Sequence, residues 1–173
     1  GPQGVGNGYL GKDNNGYSAA IVDIAAAGYY DENGALRQYS LALDRNGTIW
    51  GWGSNWHGIL NPLNNTGDTL GTPVGLPVNV SQSSTVIQNG LTLSADKIAA
   101  DIRLLRKDGQ IITWGENKYN AYGSYNTTSE QPDRVVLEGS DRALMVSSGV
   151  YNGVAITMDG KVVTWGGSDG SNG

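Results

Sequence analysis

One eleven-residue pattern occurs three times without a gap: L-D-R-N-G-T-I-W-G-W-G from Leu43, L-R-K-D-G-Q-I-I-T-W-G from Leu105 and I-T-M-D-G-K-V-V-T-W-G from Ile156. Gly47, Gly109 and Gly160 align, and so do Trp52, Trp114 and Trp165. Self-similarity at this length marks a repeat architecture, in which one supersecondary unit buries itself only by stacking on its neighbours. Each copy reads as a β-hairpin. Asn46-Gly47, Asp108-Gly109 and Asp159-Gly160 suit the two positive-φ places of a type I′ turn, and the flanking runs are rich in β-branched residues. These runs are apolar on both faces, so sheets are expected on both sides of them, as in stacked blades or a sandwich.

An apolar segment rich in small residues precedes each hairpin: I-V-D-I-A-A-A-G from Ile21, D-K-I-A-A-D from Asp96 and L-M-V-S-S-G from Leu144. Small side chains permit close backbone approach, as an innermost strand requires. The spacing predicts three units, at residues 21–80, 95–140 and 142–173 of a single domain spanning 3–173. Two insertions stand out, residues 29–37 in the first unit and an extra hairpin at 81–94. Gly1-Pro2 reads as a protease scar.

With 27 glycines, five tryptophans and nine tyrosines, the chain turns often and still has large side chains to bury. Its net charge of −5, with no basic stripe, disfavours nucleic acid. No apolar run reaches membrane-spanning length, so no insertion is expected. The absence of cysteine excludes disulfides and thiolate chemistry.

The residues resemble a known family. I-A-A-A-G, S-L-A-L-D-R-N-G-T-I-W-G-W-G-S-N, Gly58-Ile59-Leu60 and Thr72-Pro73-Val74, with their counterparts in the later units, are similar to the repeat of the regulator of chromosome condensation family. That resemblance implies an all-β fold of four-stranded propeller blades, usually seven, with the end blades completed by both ends of the chain. Gly8-Tyr9-Leu10-Gly11 is similar to the segment that follows such a hairpin, so residues 3–20 either complete the last blade or belong to a preceding one. Tyr39, Asp101 and Asn152 stand where the family often has histidine. Three units cannot close a seven-bladed ring, and exposed blade edges make self-association an expectation.

No enzyme is expected, and no cofactor or metal. His57 is the single histidine, and the acid pairs Asp31/Glu32 and Glu138/Asp141 read as solvated loop residues. The D-x-N-G strings at Asp31 and Asp44 fit turns better than calcium loops, because the Asp44 string lacks the remaining ligands of an EF-hand. Trp52, Trp114 and Trp165 keep the repeat register and read as blade contacts. Tyr29, Tyr30, Trp56, His57, Tyr119, Tyr122 and Tyr125 fall outside it among Asn, Ser and Thr, and are the candidate ligand-binding residues. These features lead to the expectation of a bacterial surface or secreted adhesin-like module of pilus-tip type, binding a cell-surface glycan or protein. The alternative, implied by the resemblance, is an intracellular regulator of a small GTPase or other protein partner.

Overall fold

A computed structural model of the protein describes residues 20–31, 33–61, 74–95, 101–116, 133–135 and 142–167. They form three antiparallel sheets. The first has the order β1-β2-β3-β4, with β1 Ile21–Tyr30, β2 Leu36–Asp44, β3 Ile49–Gly53 and β4 Val74–Asn79. The second repeats that order as β5 Gly90–Ala95, β6 Asp101–Arg106, β7 Ile111–Gly115 and β8 Asp133–Arg134. Among the described residues the third holds β9 Ala143–Ser148, β10 Asn152–Thr157 and β11 Val162–Gly166. Contacts between β1 and β5, and between β5 and β9, put the first strand of each sheet innermost. The architecture is that of three consecutive blades of a partial β-propeller.

The three hairpins superpose residue by residue. Ser40 pairs with Trp52, Ile102 with Trp114 and Gly153 with Trp165. Their turns are not the type I′ turns expected from the dipeptides. Gly47, Gly109 and Gly160 have φ of 89°, 83° and 82°, but Asn46, Asp108 and Asp159 are absent from the residues with positive φ. Instead the N–H of each glycine bonds back to the carbonyl three residues earlier, at 2.9 Å to Asp44, 2.9 Å to Arg106 and 3.0 Å to Thr157. This is a three-residue loop, a type I turn followed by a left-handed glycine, and the bulge it creates supplies the twist that a plain type I turn lacks. Side chains reinforce it. Asp44 Oδ1 accepts from the N–H groups of Asn46 at 2.9 Å and Thr48 at 3.0 Å, and Thr157 Oγ1 accepts from Lys161 N–H at 3.0 Å.

Each turn also anchors an innermost strand. The N–H of Arg45, Lys107 and Met158 bonds to the carbonyl of Ala20, Asn89 and Arg142, each the residue just before the first strand of its own blade. The turn glycine carries the following blade: Gly47 C=O accepts from Gly90 N–H at 3.2 Å and Gly109 C=O from Ala143 N–H at 2.7 Å. This equivalence corrects two expectations. The first strand of the second blade is G-L-T-L-S-A, five residues upstream of the expected start at 95, and no hairpin is inserted at 81–94. Two single 3-10 turns, Val80–Ser83 and Thr85–Ile87, lead into Gly90. Leu93 decides the matter physically: its side chain is buried in the core and its N–H donates to the Asp23 carboxylate of the first blade at 2.7 Å. Residues 96–100, expected to form that strand, lie outside the described residues.

The middle blade is covered on both faces. Ile102, Leu104, Ile112 and Trp114 join Leu41, Leu43, Ile49 and Ile59 of the first blade in one cluster. Leu105 and Ile111, on the other face, pack with Ala143, Ala155, Val163 and Trp165 of the third. Trp114 and Trp165 lie on the face of their blade turned toward the preceding one. Trp114 is wholly buried and donates its indole N–H to the Ile59 carbonyl at 2.9 Å. Trp165 lies under the Arg103 guanidinium at 5.9 Å. Trp52 is half-buried on the face of the first blade turned away from the second.

A Cβ at Gly47 would lie 2.8 Å from Gly90 N, and one at Gly109 would lie 2.9 Å from Arg142 Cβ, whereas nothing lies within 4 Å of one at Gly160. Gly160→Ala should therefore cost only the strain of a left-handed alanine, about 1–2 kcal/mol. Gly47→Ala and Gly109→Ala should cost roughly 1–3 kcal/mol more, through overpacking at the blade seams. Urea denaturation midpoints measure the difference, and equal losses at all three glycines would contradict it.

Candidate functional site

The first blade is not built like the others. β1 and β2 run for 10 and 9 residues, whereas β5, β6, β9 and β10 have 6 each. Pairing of β2 with β3 ends at Tyr39 and Gly53, but β1 and β2 continue through Gly28/Gln38, Tyr29/Arg37 and Tyr30/Leu36. At about 3.4 Å per residue, the hairpin therefore stands roughly 10 Å beyond the end of its blade. This arm is the segment that the spacing marks as an insertion.

Its tip repeats the turn chemistry of the blades. Gly34 has φ 75°, and its N–H bonds to Asp31 C=O at 2.8 Å. Asp31 Oδ1 accepts from Asn33 N–H at 2.9 Å and Ala35 N–H at 2.8 Å. Asp31 Oδ2 takes Arg37 Nε at 2.9 Å and Nη2 at 2.8 Å. Arg37 in turn lies over the Trp56 ring, its Cζ 5.2 Å from the centroid. Trp56 meets His57 edge-on at 5.4 Å, and His57 holds a left-handed φ of 55° in the single turn Trp56–Gly58. The base of the arm is tied to this turn through Ser54, whose N–H bonds to Gln38 C=O at 2.7 Å and whose Oγ accepts from Trp56 N–H at 3.3 Å. Asp31, Arg37 and Trp56 thus lock the arm in one position.

The candidate residues divide sharply. Tyr29 and Trp56 are buried, at 5% and 7% exposure, and act as the packed inner side of the arm and its brace. Burial pushes the Tyr29 phenol well above the usual tyrosine range, so it stays neutral. His57 is half-buried beside Trp56. Tyr30 is 73% exposed, opposite Leu36 at 50%. These two form an apolar pair on the outward face of a rigid arm, which is suited to recognition. Tyr119, Tyr122 and Tyr125 lie outside the described residues. Arg37 and Leu36 were not among the binding candidates, and Asp31, expected as a solvated loop acid, is instead buried with both carboxylate oxygens bonded. The recurrence of D-x-N-G at Asp31 and Asp44 was the available signal for a second turn of the same kind.

The Ala35 N–H, followed by Arg37 and the Asn33 N–H, outweighs burial and holds the Asp31 carboxyl below the ordinary carboxylate range. A depressed value means that the ionised form is the one the folded arm favours. Its contribution is present above about pH 3.9 and lost as pH falls through the lower folded value. In an NMR titration from pH 5 to pH 2, the Asn33 and Ala35 amide protons should therefore move together, with a midpoint below about 3.9, and should not titrate in Asp31→Asn. A midpoint at or above the ordinary value would contradict this geometry.

No protein-family model matches the chain. Human E3 ubiquitin-protein ligase HERC2 is 26% identical over 151 residues, covering 86% of this chain and 3% of that protein. The mitochondrial RCC1 domain-containing protein RUG3 of Arabidopsis thaliana is 24% identical over 129 residues, covering 74% of this chain and 27% of that one. Among solved structures, Prp20p of Saccharomyces cerevisiae, described with its binding to Gsp1p and histones, superposes with a TM-score of 0.59 at 18% identity, over 92% of this chain and 34% of its own. The chain thus spans about a third or less of each of these three proteins.

These relatives overturn the expectation of a secreted or surface adhesin that binds a cell-surface glycan: they are a ubiquitin ligase and a mitochondrial protein. The physical source of the error is visible in the arm. Asn and Ser favour turns through local backbone hydrogen bonding alone, and two of the candidate binding aromatics, Tyr29 and Trp56, are buried. The three units resemble the repeats of an RCC1 domain-containing protein and are arranged as three blades of a partial β-propeller.

Proposed function

We infer that this chain is a non-enzymatic protein-recognition part of an intracellular regulator, engaging a small GTPase or another protein partner through the arm of its first blade. The arm carries this reading. A rigid, braced hairpin that presents Tyr30 and Leu36 beyond a flat sheet end has the shape and chemistry to enter a partner's surface, because its ordering cost is already met within the fold. Support also comes from the relatives, one of them mitochondrial, and from the binding of Prp20p to Gsp1p and histones. The ligase activity of HERC2 belongs to a protein of which the chain spans 3%, and is not extended to it.

The test is release of a fluorescent guanine nucleotide from a panel of small GTPases, together with direct binding to their nucleotide-free forms. The chain should bind a member of the panel and speed release from it. The Tyr30→Ala, Leu36→Ala double variant should weaken binding by about tenfold or more, as loss of an aromatic hot spot does, with an unchanged urea midpoint. Absence of binding across the panel, or binding indifferent to the double variant, would overturn the reading.

A further inference from the structure

The two inner seams show what covers each face of a blade, and the outer blades leave one face of each kind open. On the face turned toward a preceding blade, Leu93 and Val146 pack inside the seams, opposite Leu104 and Ala155. The same position in the first blade is Ile24, opposite Ala42, and it is 73% exposed. On the other face, the residue two after each turn glycine is Ile49, Ile111 and Val162. The first two are buried under the following blade, whereas Val162 is 68% exposed. Four before the glycine, Leu43 and Leu105 are wholly buried, and Ile156 is exposed. The sequence thus keeps an apolar side chain at these seam positions even where no blade covers them among the described residues.

The two open faces are apolar and differ from each other. On the first blade, Val22 and Ile24 stand exposed on the face that carries the half-buried Trp50 and Trp52. On the third, Met145, Ile156 and Val162 pair side by side across β9, β10 and β11, all three exposed. None of these side chains is charged, and contiguous apolar surface of this kind marks an interaction face. The backbone carries the same complementarity. In each inner seam a turn-glycine carbonyl takes the opening N–H of the next blade, from Gly90 or Ala143. The corresponding carbonyl on the third blade is that of Gly160, and the corresponding N–H on the first is that of Ile21. A Cβ at Gly47 or Gly109 would meet the next blade within 3 Å, but one at Gly160 meets nothing within 4 Å, so the approach to this carbonyl is clear.

We propose that copies of this chain associate head to tail, the open face of the third blade of one receiving the open face of the first blade of the next. The contact is a further seam, made by the same positions as the two inside the chain: Ile24 meets Ile156 and Val162 as Leu93 meets Leu43 and Ile49. Because the two faces differ, the contact is heterologous, and it gives a ring where the rotation per copy closes and a row of copies where it does not. The arm takes no part, since pairing of β2 with β3 ends at Tyr39 and Gly53 and Tyr30 and Leu36 stand beyond that end. The inference is therefore independent of the partner assigned to the arm.

The test is the mass in solution, by light scattering and sedimentation, over a roughly hundredfold range of concentration. The mass should rise with concentration above that of one chain. Ile24→Lys and Val162→Lys should each weaken association at least about tenfold, because each would bury an unpaired charge in an apolar seam. Both positions are exposed in the single chain, so the urea midpoint at low concentration should not change. The two variants keep opposite faces intact, so an equal mixture should pair to the mass of two chains and grow no further. The Tyr30→Ala, Leu36→Ala double variant should associate as the unsubstituted chain does. A single-chain mass throughout, or association indifferent to either lysine, would overturn the proposal. Failure of the two lysine variants to pair with each other would overturn the head-to-tail arrangement.

Discussion

A single left-handed glycine at the tip of each blade hairpin controls the rest of the fold. Its positive φ closes the three-residue loop and so fixes the register of the two strands. That register places a tryptophan five residues later, in the second and third blades on the face turned toward the preceding blade. In the first two blades the carbonyl of the same glycine receives the opening N–H of the next blade, at Gly90 and Ala143. Local turn geometry and blade-to-blade docking thus meet in one residue, and a side chain there disturbs both.

The two seams solve one packing problem differently. Between the first and second blades, Trp114 is fully enclosed and its indole N–H is satisfied by a backbone carbonyl, so no polar atom of the ring is stranded in the core. Between the second and third, Trp165 lies against Gly153, where any Cβ would collide with the ring, and takes a buried arginine over its face. Arg103 also reaches Ser148 Oγ at 3.0 Å, tying β6 to β9. A charge that would be costly alone in a core is tolerable here, because the ring face and the hydroxyl both meet the guanidinium. The first and third blades each keep one apolar face exposed, with Ile24 at 73% and Val162 at 68%.

Much of this was legible in the sequence, for a physical reason: a turn glycine and a tryptophan at constant offset report strand register directly. The hairpins, the equivalence of Trp52, Trp114 and Trp165, and the all-β class follow from that offset. The turn type did not, because Asn-Gly and Asp-Gly serve both a type I′ turn and a type I turn with a bulge. The innermost strand of the second blade was misplaced because L-T-L and K-I-A-A are equally plausible short apolar runs. Only the tertiary pairing of Leu93 with Asp23 separates them. The arm appeared as excess length at residues 29–37, but its lock did not. An ion pair between Asp31 and Arg37 exists only once the hairpin has formed, and a Trp56 that braces the arm has the same local sequence as one that binds a ligand.

The central claim is that each seam tryptophan is clamped between blades by the register its own hairpin sets, so that the seam opens only when the blades come apart. Hydrogen exchange of the five indole N–H groups tests it directly. Trp114 should exchange slowest, at the rate of global unfolding measured by denaturant, and Trp52, on the open face of the first blade, should exchange far faster. Exchange of Trp114 as fast as that of Trp52 would contradict the account.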